Sequence, residues 1–201
     1  MRLVALPLVL SLAGCSALGA LNQPKRDVFE LLPASDAPVA CRAGAAELVV
    51  ELPKARSTLD TDRIMIRPSA LQAQYLPDAQ WGDTVPVTLQ TLLVRSFARY
   101  PAFGHVGRTP LAGAGDYALL SEIEDFNAVR TETGARVVLS VTAQLVHEGD
   151  GRVAARGRFQ AVRELGSTAT PDLIAGFDAA QRELVGQITA WGLGAMRVPC
   201  R

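Results

Sequence analysis

The clearest chemistry in this sequence belongs to a cysteine near the start of the chain. Cys15 directly follows Leu12, Ala13 and Gly14. In bacteria the sequence Leu-Ala-Gly-Cys resembles the lipobox, where the cysteine thiol accepts a diacylglycerol, the chain is cut just before it, and the new amine is acylated. We therefore predict that Cys15 is lipidated.

The residues before Cys15 have the layout of a secretory signal, with the positive charge of Arg2 followed by an apolar run. That run of about ten residues is too short to span a bilayer, which takes about 20. A signal peptide with a chance cysteine, or a short transmembrane helix, is the alternative. We predict a lipoprotein signal peptide over residues 1–14, a lipidated tether over 15–27 and one domain over 28–201.

The residue after the lipidated cysteine bears on which membrane receives the protein. An aspartate there resembles the signal that keeps lipoproteins in the inner membrane, and this chain has Ser16 instead. We therefore predict an outer-membrane protein that is lipid-anchored and faces the periplasm. No second apolar run approaches membrane-spanning length, so the lipid is the expected anchor.

The other two of the three cysteines, Cys41 and Cys200, suggest a disulfide. An even number of cysteines left in an exported chain favours pairing. The bridge would enclose nearly the whole domain, which the chain-entropy model values at on the order of 4–5 kcal/mol. Two separate thiols are the alternative.

The remaining polar residues do not form a recognisable catalytic or metal-binding pattern. The two histidines, His105 and His147, belong to no metal-ligand motif, so no zinc site is predicted. Residues 113–118 mimic a dinucleotide fingerprint but lead into a predicted strand, whereas the phosphate grip needs a helix N-terminus. Asp60 and Asp62 are expected to be solvated turn residues. We predict no enzyme activity, metal or cofactor.

The charge balance also restricts the kind of partner. The chain has 20 basic and 20 acidic residues, and a nucleic-acid surface would need a basic excess. Arg156 and Arg158 fall on the polar side of a predicted strand. They could meet an acidic partner or a lipid headgroup, although a solvated sheet face is the favoured interpretation.

Alternation of apolar and polar side chains predicts most of the strands. These strands are expected over residues 27–33, 46–52, 63–67, 105–109, 117–126, 136–147 and 152–164. A turn signal over residues 148–151 predicts that the last three form an antiparallel meander. Residues 75–83 are expected to be irregular beyond a short strand at their start.

Helical spacing of apolar residues predicts two amphipathic helices. The first covers about residues 84–99, capped by Asp83 or Thr84, and the second begins at a Thr170 cap and runs to the C-terminal tail. The predicted fold is a two-layer α+β domain. It has a mostly antiparallel sheet with both helices packed on one face.

Several of these features occur in the order seen in a known family. They are the lipobox, the meander and final helix, and the following residues: Leu52-Pro53, Leu59-Asp60, Arg63-Ile64-Met65-Ile66-Arg67, Tyr75, Trp81, Pro86, Leu89, Leu92 and Leu93. On these features the chain resembles the PqiC-like family of ABC-type transport auxiliary lipoproteins.

The resemblance implies a docking subunit of an envelope-spanning lipid transport system. Its implied partners are an MCE-domain protein and an ABC permease with its ATPase, and it leaves room for a homo-oligomer. Partner contact is expected around Tyr75, Leu76 and Trp81, since aromatic residues are good interface anchors. The alternative for Trp81 is that it covers the core.

Two other functions compete with this one. The first is a general envelope-assembly lipoprotein that supports Tol-like or lipopolysaccharide-export machinery. The second is a lipid-anchored hydrolase, which requires a cleft with a convergent nucleophile and base.

Overall fold

The structure is a computed structural model that describes residues 25–34, 40–111 and 113–198. Its strands are β1 (Asp27–Phe29), β2 (Ala46–Val50), β3 (Lys54–Ala55), β4 (Arg63–Ser69), β5 (Gln72–Trp81), β6 (Phe103–Gly107), β7 (Tyr117–Arg130), β8 (Ala135–His147) and β9 (Arg152–Leu165). The helices are α1 (Val85–Ala98) and α2 (Thr170–Ala195). In the described residues the nine strands form one sheet, which confirms an α+β fold.

The long strand β7 organises this sheet. One of its edges pairs with β8 along its length, and β8 pairs with β9, both antiparallel, so the predicted meander is confirmed. The other edge pairs in turn with β2, β3 and β4. The sheet then extends from β2 to β6, and from β4 through β5 to β1.

The sheet is mixed, so the expectation of a mostly antiparallel sheet is wrong. Strands β2, β3 and β4 all run parallel to β7, as do β6 to β2 and β1 to β5. Parallel neighbours are joined by long crossovers rather than hairpins. Alternation within one strand reports which side is buried, but it does not report which strand lies beside it.

The two helices contact each other and cover the buried side of the sheet. Helix α1 packs on β2 and β6, and helix α2 packs on β8 and β9. The hydroxyls of Ser96 and Thr189 lie 2.9 Å apart where the helices meet. Both helices begin at an extended residue followed by a proline within their first turn, as predicted, although the N-cap of α2 is Ala169 and Thr170 is already helical.

Strand β5 is the largest departure from the predicted elements, because residues 75–83 were expected to be irregular. Tyr75 pairs with Met65 and Gln80 pairs with Arg63, so the six residues 75–80 of β5 lie opposite only three residues of β4. This irregular register, together with Pro77, breaks the alternation from which a strand is predicted. Strand β4 also continues past its expected stop at Pro68.

Within the described part of the chain, no helix is both long enough and apolar enough to cross a membrane.

Candidate functional site

The three predicted contact residues, Tyr75, Leu76 and Trp81, lie on β5, but two of them are buried. Trp81 is 2% exposed, and its ring packs edge to face against Phe126 and Phe177. Leu76 is buried as well. Tyr75 is half-buried, and its hydroxyl donates a hydrogen bond of 3.0 Å to a backbone carbonyl between β3 and β4. Leu76 and Trp81 are therefore core residues here, and partner contact at this segment stays a prediction.

Two of the three predicted cysteine sites fall outside the described residues. Cys15 and Cys200 are among them, so lipidation and the Cys41–Cys200 pairing stay predictions. Cys41 lies in the described part and has an interaction partner.

The candidate catalytic and metal-binding side chains do not converge. His105 is on β6 and His147 on β8, with β2 and β7 between them. His147 Nδ1 lies 3.3 Å from Asp150 Oδ1 in the turn after β8. Asp60 and Asp62 lie in the connection between β3 and β4. Among the described residues, no group of three or more His, Cys, Asp or Glu side chains could hold a metal ion.

A β-bulge in β7 places acidic side chains on the face of the sheet away from the helices, here called the open face. Ile123 pairs with Val141 and Asp125 with Ser140, so Glu124 is an extra residue in β7. A bulge changes the direction of the side chains that follow it. Before the bulge the odd-numbered Leu119 and Ile123 belong to the hydrophobic core, and after it the even-numbered Phe126 and Ala128 do.

Basic residues neutralise these acids. The Arg158 guanidinium donates to Glu124 Oε2, and the same oxygen accepts a hydrogen bond of 3.1 Å from the buried Ser140 hydroxyl. Arg56 Nη2 lies 3.7 Å from Asp125 Oδ1. Arg158 thus has an ionic partner within the domain, rather than standing free on the polar face.

The open face carries a groove of about 580 Å³ near the start of β7. Its floor combines exposed apolar side chains with two neutral polar ones, and its rim is charged. The groove is lined chiefly by Leu52, Ala118, Leu120, Val146, Thr142, Gln144, Glu51, Lys54, Glu122 and Glu148. A concave site in which exposed apolar side chains lie beside polar groups is typical of binding.

Hydrogen bonds from two turns frame this groove. Glu148 Oε2 accepts a hydrogen bond of 2.5 Å from the Gly115 backbone N–H, which ties the loop before β7 to the turn after β8. In that turn, Asp150 Oδ1 accepts a hydrogen bond of 3.0 Å from the Arg152 backbone N–H. The glycine-rich loop leads into β7, as predicted, so it is not a phosphate site at a helix N-terminus.

The groove is not predictable from local sequence patterns. The alternation in β7 and β8 indicated a polar face, on which Thr142 and Gln144 are found. Leu52 and Leu120 interrupt this polarity, but they are 68 residues apart in the sequence, since 120 − 52 = 68. Two leucines on an otherwise polar face are the sequence feature that could have indicated a binding surface. They come close together only because β2 pairs with β7.

Comparison with known proteins identifies the family. The model of the family described as "ABC-type transport auxiliary lipoprotein component" matches residues 29–189. The chain belongs to this family. The predicted resemblance is thereby confirmed.

One curated relative is similar to this chain in sequence, and two solved structures are similar to it in fold. An uncharacterized protein of Bradyrhizobium diazoefficiens, bll6063, is 26% identical over 181 residues, covering 90% of this chain and 48% of the relative. The chain thus spans about half the length of the curated relative it matches. The crystal structure of XCC0632 from Xanthomonas campestris has a TM-score of 0.74 at 21% identity, covering 85% of this chain and 97% of that one. A second solved structure, of an uncharacterized protein, has a TM-score of 0.65 at 16% identity, with coverages of 83% and 98%.

Proposed function

We propose that this protein is an outer-membrane lipoprotein that faces the periplasm and docks an MCE/ABC-type lipid transport system to that membrane. The family match over residues 29–189 carries the proposal. The lipobox at Cys15, which precedes that domain in the sequence, supports anchoring by lipid. The protein acts as a scaffold and does not hydrolyse ATP.

We further propose that the groove on the open face receives the MCE-domain protein, with the ABC permease and ATPase joined to the assembly through it. The exposed apolar side chains of Leu52 and Leu120 would lose water on binding, which is favourable. Three carboxylates and one ammonium group surround them, namely Glu51, Glu122, Glu148 and Lys54. This surplus of negative charge fits a partner surface with apolar side chains and an excess of basic ones.

Photo-crosslinking in intact cells tests this contact directly. A photoreactive amino acid replaces Leu120 in the groove of the full-length, lipidated protein, and the crosslinked proteins are identified by mass spectrometry. Val162 is the matched control, because it lies on the same face outside the groove and is 37% exposed, against 40% for Leu120. We expect adducts with an MCE-domain protein from position 120 and few from position 162.

Other outcomes separate the competing functions. Adducts only with other envelope-assembly proteins would favour a general assembly role and contradict the transport proposal. A third photoreactive position at Tyr75 tests the segment that the sequence predicted, and MCE adducts from position 75 alone would move the contact from the groove to β5. Mass spectrometry of the mature N-terminus reports separately whether Cys15 is lipidated.

A further inference from the structure

Three connections of the fold lie at one end of the sheet, here called the hairpin end. Strand β4 runs parallel to β7 and turns back into β5 at residues 70–71. The turn at residues 131–134, which connects β7 to β8, lies beside the β4–β5 turn. Strand β9 ends opposite the start of β8 and leads through residues 166–169 into α2. The groove lies toward the other end, near the start of β7.

Strand β1 points away from the hairpin end. Strand β1 runs parallel to β5, with Asp27 opposite Ala79 and Phe29 opposite Trp81. From Phe29 back to Asp27, the chain therefore runs in the direction of Gln72, the first residue of β5, at the β4–β5 turn. This direction is set by the register of the described residues.

The distance to the predicted lipid is short. Cys15 lies 12 residues before Asp27, since 27 − 15 = 12. A chain of that length spans at most about 40 Å. Strand β7, with 14 residues, is itself about 45 Å long at 3.3 Å per residue. A tether of that length is shorter than β7, and from Asp27 it can reach a membrane that lies at the hairpin end.

The tip of the β4–β5 hairpin has the composition of a bilayer contact. Leu71 is fully exposed there, at 101% of its reference area. The Arg67 guanidinium holds the turn by donating a hydrogen bond of 3.1 Å to the Ala70 carbonyl oxygen. Arg130, at the end of β7, is exposed beside this hairpin. Arginine side chains near an apolar tip can meet lipid phosphates while the tip enters the apolar region.

Acidic residues also lie at this end, so charge is not the main attraction. Glu132 is in the β7–β8 turn and Asp172 in the first turn of α2. Arg136 and Glu164 pair with each other. The combination of a fully exposed leucine with two neighbouring arginines, Arg67 and Arg130, distinguishes the tip from an ordinary solvated turn.

We propose that Leu71 inserts into the surface of the bilayer that holds the lipidated Cys15, so that the hairpin end faces the membrane and the groove faces away from it. The proposal rests on the proposed function through the lipidation of Cys15. The occupant of this surface is a lipid bilayer, recognised by an apolar side chain flanked by Arg67 and Arg130. In this orientation the groove is accessible to a partner on the periplasmic side.

The test places a photoreactive amino acid at position 71 of the full-length, lipidated protein in vesicles of phosphatidylethanolamine and phosphatidylglycerol. The matched control is position 111, because Leu111 is also exposed but lies beside Glu47 at the opposite end, where its backbone N–H donates to Glu47 Oε1 at 2.6 Å. We expect several-fold more lipid adducts from position 71 than from position 111. Equal adducts from both positions, or more from position 111, would overturn the proposed orientation.

A second measurement separates insertion of the leucine from mere proximity. With the photoreactive group at position 70, Leu71→Asp should lower the lipid adducts several-fold, and an unchanged yield would contradict insertion. Because Leu71 is fully exposed, this variant should keep its thermal midpoint. Mass spectrometry of Cys15 tests the anchoring separately, because an unacylated mature protein would contradict it. An acylated protein that gives no more lipid adducts from position 71 than from position 111 would contradict the orientation alone.

Discussion

The ring of Trp81 meets the ring of Phe177 edge to face, with 5.3 Å between their centroids. This contact joins the last residue of β5 to the N-terminal half of α2. Phe126 of β7 stacks on the same phenylalanine at 5.6 Å and completes an aromatic cluster between sheet and helix. A side chain that looked like an interface anchor in the sequence therefore holds the two layers together.

Replacement of Trp81 should destabilise the domain. Trp81→Ala removes a fully buried ring, and large-to-small changes of this kind cost about 3–5 kcal/mol. Trp81→Phe keeps an aromatic ring and should cost less. Urea unfolding of both variants measures the difference. If Trp81→Ala instead kept its unfolding midpoint and lost its crosslink to the partner, the residue would be a contact residue after all.

Loss of the Glu124 carboxylate should cost more than loss of its ionic partner. Ser140 is fully buried, and Glu124→Ala leaves its hydroxyl without the acceptor that it now uses, at a cost of about 1–3 kcal/mol. Arg158→Ala removes an exposed ion pair, which is worth about 0–1 kcal/mol. Chemical unfolding of both variants checks the order.

The matched control for this pair is the double variant Glu124→Ala with Ser140→Ala. It removes donor and acceptor together, so it should recover part of the stability that Glu124→Ala loses. If the loss of stability in the double variant equals the sum of the two single losses, the two side chains are not coupled, and the hydrogen bond to Glu124 is not the main support of the Ser140 hydroxyl.

A bridge between Cys41 and Cys200 should make stability sensitive to reductant. Opening so long a loop costs on the order of 4–5 kcal/mol in the chain-entropy model. Reductant should therefore lower the thermal midpoint of the natural protein. The double variant Cys41→Ser with Cys200→Ser should match the reduced protein and not respond to reductant. Two free thiols in the oxidised, denatured protein would show instead that the cysteines are separate.

The carboxyl group of Asp150 should titrate below its ordinary pKa of 3.8. The hydrogen bond from the Arg152 backbone N–H is the main cause of the lowered pKa, and the charge of nearby His147 adds to it. A lowered pKa in the folded state stabilises the fold at pH values above the unfolded pKa, and this contribution disappears as the pH falls through the folded pKa. The variant Asp150→Asn should thus be slightly less stable than the natural protein at neutral pH. The difference in stability between the two should disappear as the pH falls through the folded-state pKa of Asp150.

An NMR titration of the Asp150 carboxyl carbon measures the pKa itself. The variant Arg152→Ala keeps the backbone N–H, so it should leave most of the shift in place. A pKa at or above the ordinary value would contradict the hydrogen bond that frames this end of the groove.

Much of the fold could be predicted from local patterns. The β7–β8–β9 meander has regular alternation and a turn signal, and helices α1 and α2 have long apolar stripes that begin at prolines. Strand β5 was missed because Pro77 and its irregular register remove the alternation. The groove was missed because Leu52 and Leu120 come together only through pairing across the sheet.

The sequence by itself determined the features that depend on neighbouring residues. These are the lipobox around Cys15, the helical stripes, the meander and the family resemblance, since each is written within a short stretch or in the order of such stretches. Tertiary structure alone decided the placement of β2, β3 and β4 beside β7, the burial of Trp81 and the direction of β1. The physical reason is that strand pairing and burial depend on which distant segments meet, and alternation along one strand carries no record of its neighbour.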